Sequence, residues 1–172
     1  AWTLIKTLTA SANGTLDFVD GASDVILDST YPIYRFSFIS IHGSASSTEL
    51  RFQASTDTGS SYGVATTTTA FMAEQGESDD PSLGYRTSED HAQDTGTIKL
   101  SENFGNDNDQ SGSGHMHLFN PSSTTFVKHF IAQIHSSHSG DYADHSFKAG
   151  YVNTTSAVDA IQFSTSMFPL PI

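Results

Sequence analysis

Tyr34-Arg35-Phe36-Ser37-Phe38 decides the fold class. Three aromatic rings alternate with two polar side chains, and a period of two puts successive side chains on opposite faces of an extended chain. The stretch therefore reads as a half-buried strand with an aromatic inner face. Ile39 and Ile41 then break the phase. A bulge or a change of buried face near Ile39 accounts for this.

Working outward, further strands are expected over residues 2–9, 14–19, 49–54, 64–73, 115–119, 125–135, 145–152 and 160–167, because helical spacing rarely survives three turns anywhere. In Thr125 to His135 the rings of Phe126 and Phe130 share a face with Ala132 and Ile134. Val127, His129, Ile131, Gln133 and His135 share the other. So many large residues on both sides predict a strand buried on both faces. Asn13-Gly14, Asp20-Gly21, Thr58-Gly59, Gly105-Asn106, Asn120-Pro121 and Gly140-Asp141 are the turns between. Short strands joined by regular turns predict an all-β fold, an antiparallel, jelly-roll-like β-sandwich. One long segment, Glu74 to Gly114, stands apart. It holds more than half of the 19 acids and few large apolar residues, so it is expected to be a wet, acidic loop excursion with one or two short strands near Gly96 to Glu102.

At 172 residues and 18.5 kDa the chain fits one domain. Seven basic residues against 19 acidic ones leave a formal charge of −12. Phosphate-backbone binding relies on clustered cations, so nucleic acid and anionic membranes are disfavoured partners. No apolar run approaches the roughly 20 residues that span a bilayer, and no signal segment is visible at the start. Cysteine is absent, which removes disulfides and thiolate chemistry. Twelve Phe and six Tyr supply a core of large rings.

Eight His in so short a chain raise the question of a metal. His115 and His117 project from one strand face, but two imidazoles need a third ligand from another strand. Without it they are the polar face of a strand. Asn106-Asp107-Asn108-Asp109-Gln110-Ser111-Gly112 resembles the first half of a calcium loop, with Asp107 and Asp109 as donors, yet it lacks the closing bidentate Glu. A weak Ca²⁺ site and a plain turn both fit; no other cofactor is expected. No Gly-x-Ser-x-Gly elbow frames a serine, nothing selects a carboxylate pair, and no glycine loop cradles phosphate. The reading is therefore non-enzymatic. Trp2 and the loop residues Tyr62, Tyr85 and Tyr142 are candidates to stack on sugar rings or a partner.

Several stretches resemble a family of short structural proteins of marine tailed bacteriophages. They are residues 4–11, Phe18-Val19-Asp20-Gly21, residues 27–34, Phe52 to Asp57 with Ser60-Ser61-Tyr62-Gly63, and residues 118–130. Residues 150–157, followed by Ile161-Gln162-Phe163, complete the likeness. It spans nearly the whole chain. The resemblance implies a jelly-roll-like virion component on a tail fibre, another appendage or the capsid surface. Symmetric copies would bury apolar patches that a lone small sandwich leaves exposed, so a homo-oligomer is expected, with a trimer the leading expectation and a pentamer the alternative, in contact with other virion proteins and a host surface glycan. Members of that family end with one more strand, which is expected to be missing after Ile172. The resemblance supplies no catalytic residues. The competing readings are a carbohydrate-binding module and an enzyme built on a His-rich metal site.

Overall fold

Aromatic and β-branched side chains at every second position favour pleated strands that bury one face, and the chain forms strands at nearly every place where that alternation holds. The computed structural model describes residues 1–10 and 14–165. Eleven strands follow in order: β1 (Thr15–Val19), β2 (Ile33–Ile41), β3 (Leu50–Ser55), β4 (Thr66–Gly76), β5 (Asp80–Tyr85), β6 (Ala92–Asp94), β7 (Ile98–Lys99), β8 (Gly112–Phe119), β9 (Lys128–His138), β10 (Tyr142–Val152) and β11 (Ala160–Thr165). A short 3₁₀ turn, Thr87–Glu89, is the only helical element among the described residues.

Two antiparallel sheets face each other as a sandwich. The smaller has the order β1-β11-β3-β7, the larger β2-β8-β9-β10-β4-β5, with β6 also on β4. Starting in the smaller sheet at β1, the chain passes from one sheet to the other on entering β2, β3, β4, β7, β8 and β11. This alternate winding is that of a jelly roll in which the meander β8-β9-β10 fills the place of a single strand.

Tyr34, Phe36 and Phe38 point inward as expected. The phase break at Ile39 is a bulge: Phe38 pairs with Gly114 and Ile41 with Gly112, so Ile39 and Ser40 stand against Ser113 alone, and Ser40 sits at φ 50°. The extra residue returns Ile41 to the core. Phe163 of β11 meets Phe36 and Phe38 across the sandwich at ring-centroid distances of 5.1 and 4.9 Å, edge to face, and Phe18 on β1 at 6.1 Å. Phe52 on β3 closes on Phe130 of β9 at 4.9 Å. At the end of β9 the fully buried Lys128 donates from Nζ to the carbonyls of Phe126 and Thr154, each at 3.0 Å. It ties together two loops that have no ladder, and burial lowers its pKa.

Four expectations are corrected. Residues 2–9 form no strand: the segment lies along the body without a ladder. Strand β9 buries one face alone, since Lys128, Phe130, Ala132, Ile134 and Ser136 point in while His129, Ile131 and His135 face solvent. Residues 74–114 are not a loop excursion. They contain the β4–β5 hairpin, β6, and β7 within the expected 96–102 window, because β4 continues past Ala73 and turns back on itself. Nor is their charge all wet: Glu89 keeps 8% of its side-chain surface exposed. The end of the last expected strand and the tail Phe168–Ile172 lie outside the described residues.

Because Phe163 contacts four rings in both sheets, Phe163→Ala should cost about 3–5 kcal/mol in denaturant unfolding. Phe126→Ala, at a ring 71% exposed, should stay within about 0.5 kcal/mol.

Candidate functional site

Side chains of the larger sheet that do not enter the core stand on its outer face, and the register aligns them in rows. Arg35, His117, Ile131, Ala149 and Thr69 form one row. Ser37, His115, Gln133, Phe147, Phe71 and Tyr85 form the next, and Ser113, His135, His145, Ala73 and Leu83 the third. Tyr151 and His129 pair at one end. Phe71 and Phe147 stack at 4.6 Å with an interplanar angle of 8°, and His145 stacks on Phe147 at 4.2 Å.

In a chain of net charge −12, no Asp or Glu occupies an outward position on these strands. Arg35 is the one permanent charge among the rows. Burial, then the Arg35 charge, lowers the pKa of His115 and His117; burial and His135 do so for His145. These three imidazoles are neutral at pH 7 and above. The face is therefore broad, aromatic and nearly uncharged, the composition of a contact surface rather than of a solvated one.

His115 and His117 lie on this face with ring centroids 4.9 Å apart. Their near neighbours are Arg35, Trp2, whose indole stacks on His117 at 5.8 Å, and Phe119. No group of three or more His, Asp or Glu converges to hold a metal among the described residues. Asp107 and Asp109 are exposed, and their loop closes on itself: Gln110 N–H donates to Asp107 O at 2.9 Å while the buried Gln110 side chain accepts from Asp107 N–H. The structure does not bring the four sequence-named ligands together among the described residues.

The three tyrosines part company. Tyr85 is 59% exposed, ends the Phe71 row, and donates its hydroxyl to Asp90 Oδ2. Tyr142 lines a depression of about 300 Å³ with Gln75, Glu77, Asp109, His135 and Asp141, its ring edge-on to His138. Tyr62 is no exposed loop ring. It is half-buried with its hydroxyl inside, and burial together with the Asp17 carboxylate raises its pKa. The turn at Gly59, whose φ is +74°, brings the backbone against that hydroxyl.

A second polar assembly was not visible in the sequence. Away from the aromatic core, the space between the sheets holds charges. Lys148 on β10 pairs with Glu89, while Lys99 reaches Glu89, Glu49 and Glu102 at 3.4, 3.0 and 2.9 Å, and Arg86 reaches Glu74 at 2.7 Å. Asp144 is 1% exposed and neither carboxylate oxygen has a hydrogen-bond partner; the hydroxyls of Ser136 and Ser146 are likewise unpartnered. Burial, then the charges of Glu74 and Glu102, pushes Asp144 up to about 7, and burial brings Lys148 down to about 8. The signal available in the sequence was the polar alternation of Asp144, Ser146 and Lys148 on one face of a strand. Its other face, His145 and Phe147, is the more apolar one, so alternation alone does not mark the polar side as the buried one.

The folded Asp144 titrates near 7 and the unfolded carboxyl near 3.8, so the folded chain holds the proton more tightly. Its charge therefore destabilises the fold increasingly as pH rises from about 4 to about 7. Asp144→Asn should raise stability by about 2–4 kcal/mol at pH 8 and by almost nothing at pH 3.5, as read by urea unfolding at the two pH values.

Comparison with protein-family models, with curated protein sequences and with solved structures returned no match, so the geometry described above carries the functional argument.

Proposed function

We propose that this chain is a structural component of a virion surface, of the kind its sequence resembles, and that it works by contact rather than by catalysis. The observation that carries the reading is the acid-free outer face of the larger sheet in a strongly acidic chain. Charges cost desolvation at a protein interface, and aromatic rings gain from it. A surface meant only to stay in water would carry its share of the 19 acids. The sandwich behind that face is rigid, because both its sheets share one ring cluster. Repeated copies on a particle would then be held by face contacts, while the acidic loops keep the assembly soluble.

An antibody against the full chain should label the surface of particles released by cells that carry its coding region, at many copies per particle. Particles without label, with the protein left behind in the cells, would sink the proposal. Phe147→Glu, on the outer face, should lower incorporation into particles at least about tenfold, the equivalent of about 1.4 kcal/mol of contact energy. Its melting temperature should stay close to that of the parent.

The Tyr85 corner favours a second reading, a glycan contact. An exposed ring beside a stacked aromatic pair, its hydroxyl held by the Asp90 carboxylate, can offer a sugar a fixed apolar platform. On a glycan array, binding by the full chain that Tyr85→Ala removes would carry this reading; an array without binders would end it.

A further inference from the structure

Both sheets end on the same side of the sandwich, at β1 and β2, and the gap between them is a cleft of about 1380 Å³. That exceeds the roughly 300–1,000 Å³ of small-molecule pockets and suits a length of peptide. One wall is the whole of β2, which among the described residues has a strand partner on one side only. The other is the arm formed by residues 1–10.

The arm has the composition of a strand, with Thr3, Ile5, Thr7 and Thr9 β-branched and Trp2, Leu4 and Leu8 apolar. Yet none of its residues makes a hydrogen bond to a described residue. Its holds on the body are the Trp2 stack on His117 and the packing of Ile5 on the core. Leu4 and Ile39, 80% and 79% exposed, are the two most exposed large apolar residues described, and both line this cleft. An unpaired strand edge and an unpaired strand-forming arm thus face the same space, each with a bare apolar side chain.

We infer that the cleft seats the arm of a second copy of this chain. Residues 3–8 of one copy add to the free edge of β2 of the other as an extra strand, which sets Leu4 of one copy over Ile39 of its mate. The exchange is reciprocal, so each copy is donor and acceptor, a swap that requires no third component. Charge favours the same occupant. Lys6 is the only charged side chain before Asp17, so the arm is cationic in an acidic chain. Asp20, Asp24 and Asp28 lie in the β1–β2 connection, whose Val25, Ile26 and Leu27 line the cleft. A foreign peptide would have to match all three features; the chain's own arm already does. Pairing also covers an edge that would otherwise invite uncontrolled association.

The chain has no cysteine, so two single-thiol full-length variants, Leu4→Cys and Ile39→Cys, give a clean test. Mixed in equal amounts under mild oxidant, they should form the Leu4→Cys/Ile39→Cys cross-linked pair in at least about tenfold excess over either self-linked pair. Sedimentation of the unmodified full chain should show a self-associated species that Leu4→Asp and Ile39→Asp each weaken about tenfold or more. Both replace exposed residues, so the monomer's melting temperature should hold. A chain that stays monomeric at high micromolar concentration overturns the inference, as does cross-linking without preference for the mixed pair. Association that ignores both Asp variants but is weakened by Phe147→Glu also overturns it, while leaving the sheet-face reading intact.

Discussion

The contact on which the rest depends is the meeting of Phe163 with Phe36 and Phe38 across the sandwich. A single ring on β11 packs edge to face against two rings of β2 and also touches Phe18 and Phe52. Edge-to-face packing fixes separation and angle together, so it sets how far apart the two sheets lie along this side. That spacing lets Phe52 reach Phe130 and carries the apolar core across to β9. It also leaves the β1 and β2 backbones apart: Phe18 and Phe36 meet edge to face at 5.3 Å behind them, and no ladder among the described residues joins the two strands.

Where the rings stop, the interior changes character. Under β10, β4 and β7 the sandwich closes over Lys148, Lys99, Arg86 and their carboxylates. Burying such a network is costly unless each charge finds a partner, and most do. Asp144 does not, and this part of the core is held with less margin than the aromatic part. The distribution of charge therefore has a logic: acids occupy the loops, the interior network and a few exposed strand positions such as Asp17 and Asp94, and the outer face of the larger sheet is left to rings, imidazoles, threonines and Arg35. That separation is the physical basis for reading the face as a contact surface.

Some of this was legible from residue order. Alternation placed Tyr34, Phe36 and Phe38 on the buried side of β2, located the irregularity at Ile39, and put His115 and His117 side by side. Other features were hidden because alternation reports a contrast between two faces without saying which face another sheet will cover. On β10 the apolar face, His145 and Phe147, lies outside while Asp144 and Lys148 lie within. On β9, Ile131 belongs to the solvent side despite its chemistry. The segment from Glu74 onward was read as loop because its acids look solvated, yet Glu89 and Glu102 meet Lys99 of β7 within the same segment, and Glu89 meets Lys148 from β10.

By itself, then, the amino-acid sequence determined the β class, the position of most strands and turns, and the aromatic nature of the core, because backbone pleating and turn chemistry act over a few residues. The tertiary structure alone decided which charges are buried together, which sheet face is left bare of acids, and that the strand-like arm of residues 1–10 lies unpaired beside an open edge. Those outcomes depend on the order of strands across each sheet, which brings together residues far apart in the chain and which no local pattern encodes.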